Sequence, residues 1–175
     1  MIKSLYFDNT AYQYAYELER LIRNFSLPHR LEFYTDKTPH GTDYAYFCAD
    51  NGKLSVTVSD NDTVYKESSD VCELSDYENE LCRLLCRCME RHGHAPLPWG
   101  ILTGVRPVKL LRRLAEESSE EQAVKKFEKD FFVSNEKIAL SRETEHNERK
   151  ILELSKPESF SLYVGIPFCP SRCSY

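Results

Sequence analysis

The chain has 175 residues, of which 41% are hydrophobic and 29% charged, with a formal net charge of -5. That mixture can bury a core of ordinary size, and its acidic balance excludes nucleic-acid binding driven by the surface as a whole. No stretch reaches the ~20 apolar residues of a membrane span, and the first residues lack the basic-then-apolar order of a secretory signal, so the expected location is cytoplasmic.

In chain order, residues 2–7 read as a strand. Asn9 or Thr10 is placed to cap a helix whose Ala11, Tyr14, Ala15, Leu18, Leu21, Ile22 and Phe25 share one face, and Pro28 ends it. Short strands are expected at 31–34, 44–48, 54–58 and 63–66. Leu54, Val56 and Val58 alternate as in a half-buried strand, and Asn51-Gly52 suits a hairpin turn that requires positive φ. Tyr77, Leu81, Leu84, Leu85 and Cys88 recur at helical spacing, which predicts an amphipathic helix over 76–91 packed on that sheet. Residues 1–92 therefore read as an α+β accessory domain.

Residues 92–100 contain two prolines and two glycines and interrupt regular structure, so 93–159 read as a boundary loop and helical connector. Pro107 suits the first turn of a helix that carries Leu110, Leu111 and Leu114. Ser118 with Glu121 forms an expected capping box ahead of Val124, Phe127 and Phe131. Ser134 is placed to cap a third helix, apolar at Ile138, Ala139 and Leu140, charged over 142–150, and apolar again at Ile151, Leu152 and Leu154. Residues 155–159 have the composition of a linker, and a new strand is expected over 160–166.

Seven cysteines, an odd number without an export signal, are expected to be reduced thiols, some of them metal ligands. Cys82, Cys86, Cys88, His92 and His94 have spacings that a zinc or second-cluster site could use. Cys88, however, shares the apolar face with Leu81 and Leu85, and Cys82 lies beside Met89, so small buried thiols are the favoured reading. Arg106, Lys109, Arg112 and Arg113 follow one another without an intervening acid. They read as a solvated or salt-bridged helix face, with anion binding as the alternative. Trp99, between Pro98 and Gly100, reads as a plug between segments, with stacking on a flat ligand as the alternative. His146 in the charged run reads as an exposed side chain.

The final residues, Tyr163-Val-Gly-Ile-Pro-Phe-Cys-Pro-Ser-Arg-Cys-Ser-Tyr175, place Cys169 and Cys173 four apart. Thiolates at that spacing suit an iron–sulfur cluster, and the pair alone is also compatible with zinc. With its Tyr-x-x-Ile-Pro-Phe-Cys lead-in, the segment resembles the cluster loop of radical S-adenosylmethionine (SAM) enzymes related to oxygen-independent coproporphyrinogen III oxidase. Upstream, Leu97-Pro-Trp-Gly-Ile-Leu-Thr-Gly-Val-Arg-Pro-Val-Lys109 resembles the coproporphyrinogen dehydrogenase, or HemZ-like, branch of that family. Gly165 stands where the better-known oxidases carry histidine, which also favours that branch.

The resemblance implies that Cys169 and Cys173 are two of three ligands to a 4Fe-4S cluster, with the third expected immediately beyond Tyr175. Tyr163 and Tyr175 would lie at the SAM site. The chain is then an amino-terminal fragment whose residues 160–175 begin a truncated (β/α) partial barrel, expected to be inactive by itself. In the family, the cluster reduces SAM to a 5'-deoxyadenosyl radical that takes hydrogen from coproporphyrinogen propionates, which become vinyl groups as carbon dioxide leaves. An electron donor and a tetrapyrrole are the implied partners. A haem chaperone of the same family and an independent binding module are the rival readings.

Overall fold

Strand formation begins where apolar side chains must alternate between two faces. In the computed structural model, which describes residues 2–25, 31–160 and 162–165, Ser4–Phe7 (β1) is the first such strand. It is followed by Glu32–Thr35 (β2), Tyr44–Asp50 (β3), Lys53–Asp60 (β4) and Thr63–Asp70 (β5). Among the described residues these strands form one sheet of order β2-β1-β3-β4-β5. Strand β1 runs parallel to both neighbours, and β3, β4 and β5 form an antiparallel meander.

The two meander turns have the chemistry that tight hairpins require. Asn51 and Gly52 sit at φ 46° and 84°, and Asn61 and Asp62 at 48° and 64°, so both central residues of each turn have positive φ. On the inner face, Leu5, Phe7, Ala45, Phe47, Leu54, Val56 and Val58 are buried. The opposite face is polar and aromatic, and the connection between β2 and β3 lies against it. There the Tyr6 hydroxyl is 3.0 Å from His40 Nδ1, and the Tyr6 ring stacks on Tyr34.

A parallel pair needs a crossover, and here it is a 3-10 turn, Ala11–Tyr14, leading into Ala15–Phe25 (α1). The expected capping by Asn9 or Thr10 is replaced by Asp8, which accepts the Ala11 N–H at 2.6 Å through Oδ1 and the Ala49 N–H at 2.6 Å through Oδ2. One carboxylate thus starts the helix and ties it to β3. Helix α1 ends at Phe25, and Pro28 lies outside the described residues. The second helix on the inner face, Tyr77–Arg91 (α2), buries Leu81, Leu84, Leu85 and Cys88 as the spacing predicts.

Pro107–Glu117 (α3), Glu120–Lys129 (α4) and Asn135–Leu152 (α5) pack on one another. Pro107 occupies the first turn of α3, where no N–H is needed. The cap of α4 is Ser119, accepting from the Gln122 N–H, one residue later than the expected Ser118. The Ser118 hydroxyl donates instead to the Leu114 carbonyl, closing the end of α3. Ser134 caps α5 as predicted, accepting from the Lys137 N–H. Of the apolar group expected at the start of α5, Ile138 is buried while Ala139 and Leu140 face solvent.

A single hydrophobic cluster extends from Ile2 through the sheet and α2 to Ile101, Phe127 and Ile138. No helix among the described residues is long and apolar enough to cross a membrane. Beyond α5, Phe160 and residues 162–165 carry no strand pairing, and Phe160, Leu162, Tyr163 and Val164 are exposed. The strand expected over 160–166 is therefore not formed in its described part. A strand needs a ladder neighbour to satisfy its backbone groups, and this stretch pairs with none among the described residues. The α+β architecture stands, and nothing in the described residues forms the start of a barrel.

Candidate functional site

The segment 97–106, which carries the upstream motif, is held by its backbone. The Ile101 N–H donates to the Phe131 carbonyl at 2.9 Å, and the Ser134 N–H donates to the Pro98 carbonyl at 3.0 Å. Gly100, at φ 55°, makes this approach possible, because a Cβ there would overlap the Phe131 and Phe132 carbonyl groups. The same corner docks on α2: Arg83 donates to the Asp130 carbonyl at 3.1 Å, and the Arg87 guanidinium lies 5.7 Å from the centre of the Phe132 ring. Trp99 packs against the common core, as the plug reading expects, with Lys137 Nζ 5.8 Å from its ring centre.

Gly104, at φ 65°, is the second glycine of consequence. A Cβ there would come within 2.5 Å of Nη1 of Arg20. Arg20 projects from α1 and donates to the Tyr16 hydroxyl at 3.0 Å, with its guanidinium 5.3 Å from the Tyr16 ring centre. The motif's glycine is thus a seat for an arginine far away in sequence. No local pattern signals that pairing.

The basic run at the start of α3 divides into two exposed residues, Arg106 and Lys109, and two ion-paired ones. Arg112 bonds Glu148 at 2.7 Å and Glu145 at 3.2 Å, and Arg113 approaches Glu117 at 3.7 Å. Glu145 is also bonded by Arg149 at 2.7 Å. Arg149 first, and then Arg112, hold its carboxyl below the usual carboxylate range, while Glu148 and Glu145 push the Arg112 guanidinium further up. Arg112 thus fits the salt-bridged reading across α3 and α5, Arg113 pairs within α3, and Arg106 and Lys109 fit the solvated one.

The cysteine–histidine group of α2 and the residues just after it is a set of packed side chains. Burial pushes the Cys82 thiol up, the Cys86 thiol up to about 12 and the Cys88 thiol up to about 11. Thiols so disfavoured as thiolates are poor nucleophiles and poor ligands. Cys88 donates to the Val56 carbonyl, His92 Nε2 lies 3.1 Å from the Val58 carbonyl oxygen, and His94 packs edge-on against Phe25. Each histidine is thereby committed to a different neighbour.

Of the residues expected to hold the cluster and SAM, Cys169, Cys173 and Tyr175 lie outside the described residues. Tyr163 is described and is 92% exposed. Among the described residues, the structure brings Tyr163 into no pocket.

Neither a family model nor a solved structure matches the chain. Its sequence is 36% identical over 101 residues to the oxygen-independent coproporphyrinogen-III oxidase-like protein HemZ of Bacillus subtilis (strain 168). The chain is similar to HemZ. The overlap takes in 56% of this chain and 20% of HemZ, in the amino-terminal part of that protein. The HemZ likeness agrees with the branch to which the Leu97–Lys109 motif points.

Proposed function

We infer that the chain contributes the amino-terminal part of a radical SAM coproporphyrinogen dehydrogenase, which converts coproporphyrinogen III propionates to vinyl groups in haem biosynthesis. The observation that carries this reading is the 36% identity to HemZ over 101 residues. Cys169 and Cys173 add the soft donors that a 4Fe-4S cluster requires, and such a cluster would supply the electron that splits SAM. The described residues do not by themselves fit a SAM pocket, since Tyr163 is exposed. On this reading the sheet and α3–α5 are scaffold and docking elements, and the tetrapyrrole and the electron donor meet the longer protein.

The test is an anaerobic assay of the full-length protein with coproporphyrinogen III, SAM and a reductant. Release of 5'-deoxyadenosine and carbon dioxide, both lost in Cys169→Ser, is the expected result. Stoichiometric haem binding with neither product would overturn it in favour of a haem carrier.

A further inference from the structure

Between α1 and the segment 97–104 lies an open cleft of about 430 Å³, a size that accommodates a small organic ligand. Its walls are Leu97, Trp99 and Leu102, and its polar groups are the Asn24 amide, the Thr103 hydroxyl and the Arg20 guanidinium. Among the described residues, Arg20 is the one charged side chain lining it.

The state of that guanidinium distinguishes the cleft. Arg23, Arg83, Arg87, Arg91, Arg112, Arg113, Arg142 and Arg149 each lie within 4.0 Å of a carboxylate. Among the described arginines, Arg20 and Arg106 have no such partner. Arg20 is nevertheless positioned, bonded at one nitrogen to Tyr16 and seated on Gly104, whose missing side chain makes the room. An exposed fork that already bonds Tyr16 and packs on Gly104 gives up less rotamer freedom on binding a carboxylate than a free one would.

We propose that this cleft is a binding site for a carboxylate carried on a flat apolar body. The Arg20 fork takes the carboxylate in bidentate fashion, with Asn24 and Thr103 beside it, and the body lies along Trp99 and Leu97. A single cation matches a monoanionic head better than a dianionic phosphate. The proposal stands apart from the dehydrogenase reading, since it rests on the lining of this cleft and on the Arg20–Gly104 contact.

Trp99 is the only tryptophan of the sequence, so its emission reports the cleft directly. Titrating the chain with 2-naphthoate should give saturable quenching, and the uncharged methyl ester should bind at least about tenfold more weakly. Arg20→Gln should lose about tenfold or more of the naphthoate affinity, and Arg20→Lys, which keeps the charge without the fork, should fall between. Arg106→Gln, the other unpaired arginine, should stay within about twofold of the parent.

Coproporphyrin III is then added as a competitor. Arg20-dependent displacement of naphthoate identifies a tetrapyrrole propionate as a source of the carboxylate, and no displacement assigns the site to smaller aromatic acids. Arg20 is on the surface of α1, and unchanged far-ultraviolet circular dichroism confirms that its variants are folded. Absence of saturable quenching below about 10 mM, equal binding of acid and ester, or a folded Arg20→Gln that binds like the parent would each overturn the proposal.

Discussion

In the sheet region, Leu5, Phe7, Phe47, Leu54, Val56 and Val58 are sealed beneath α1 and α2, whereas the helices α3, α4 and α5 bury only Leu111, Ala123, Phe127, Ile138 and Ser141 within their spans. What the helical region lacks in apolar area it replaces with ion pairs: Arg112 with Glu145 and Glu148, Arg142 with Glu120, and Arg149 with Glu145. Apolar burial is insensitive to salt and pH, while partly exposed ion pairs weaken with both. The two regions should therefore respond to different insults, and the contacts of Gly100 decide whether they respond together.

The sharpest way to break the sheet side is Phe47→Ala. Phe47 is fully buried and stacked on Phe7 with ring centres 5.0 Å apart. Its truncation should cost about 3–5 kcal/mol in urea unfolding followed by far-ultraviolet circular dichroism. A loss below about 1 kcal/mol would mean that the inner face is not the main source of stability.

Next in size is the junction. Gly100→Ala places a methyl group against the Phe131 and Phe132 carbonyls at a backbone angle that L-residues avoid, and should cost about 3 kcal/mol. Gly93→Ala is the control. It also has positive φ, 89° against 55°, but nothing within 4 Å of the added carbon, so it should cost only about 1 kcal/mol. If the two substitutions cost the same, the clasp between 97–101 and 131–134 contributes nothing beyond backbone strain. If Trp99 emission shifts at lower urea than circular dichroism in Gly100→Ala, the helices have uncoupled from the sheet.

Much of the sheet was legible because its signals are local. Alternation at Leu54, Val56 and Val58, the Asn-Gly turn and the helical spacing of α2 each depend on neighbours in sequence. The features that were not legible are those made across the chain. Asp8 serves Ala49, 41 residues away, and a capping pattern cannot display that second duty, so the cap was expected at Asn9 or Thr10. Ser118 and Ser119 both precede acidic residues, and which one caps α4 is settled by the Leu114 carbonyl that Ser118 binds. Gly104 seats Arg20, which α1 brings onto it from far away in sequence. The apolar residues of 160–164 suggest a strand, but a strand is a property of a pair, and one half of a pair cannot be read alone.

The ion pairs of the helical region supply the pH arm of the comparison. Because Arg149 and Arg112 hold Glu145 below its ordinary range, its contribution is complete above the unfolded glutamate value of ~4.3 and is lost as pH falls through the lower folded value. Glu145→Gln should therefore cost about 1 kcal/mol at neutral pH and progressively less as the medium is acidified, with high salt also shrinking the difference. Phe47→Ala should cost the same at both pH values. A Glu145→Gln penalty that persists undiminished in acid would show that its packing, not its charge, holds α3 to α5.

The smallest effect tests whether the helical side carries an uncompensated polar group. Ser141 is fully buried in α5, and its hydroxyl finds no hydrogen-bond partner among the described residues. A buried hydroxyl without a partner bears its desolvation cost with no return, so removing it relieves the region rather than injuring it. Ser141→Ala keeps the Cβ, favours the helix by propensity, and opens a void of only one atom. The expected outcome is a gain of about 0.5 kcal/mol, visible as a small rise in the urea midpoint. A loss of about 1 kcal/mol or more would reveal that the hydroxyl is bonded in solution, to water or to a backbone carbonyl of its own helix, and that α5 is anchored there by a polar contact as well as by Ile138.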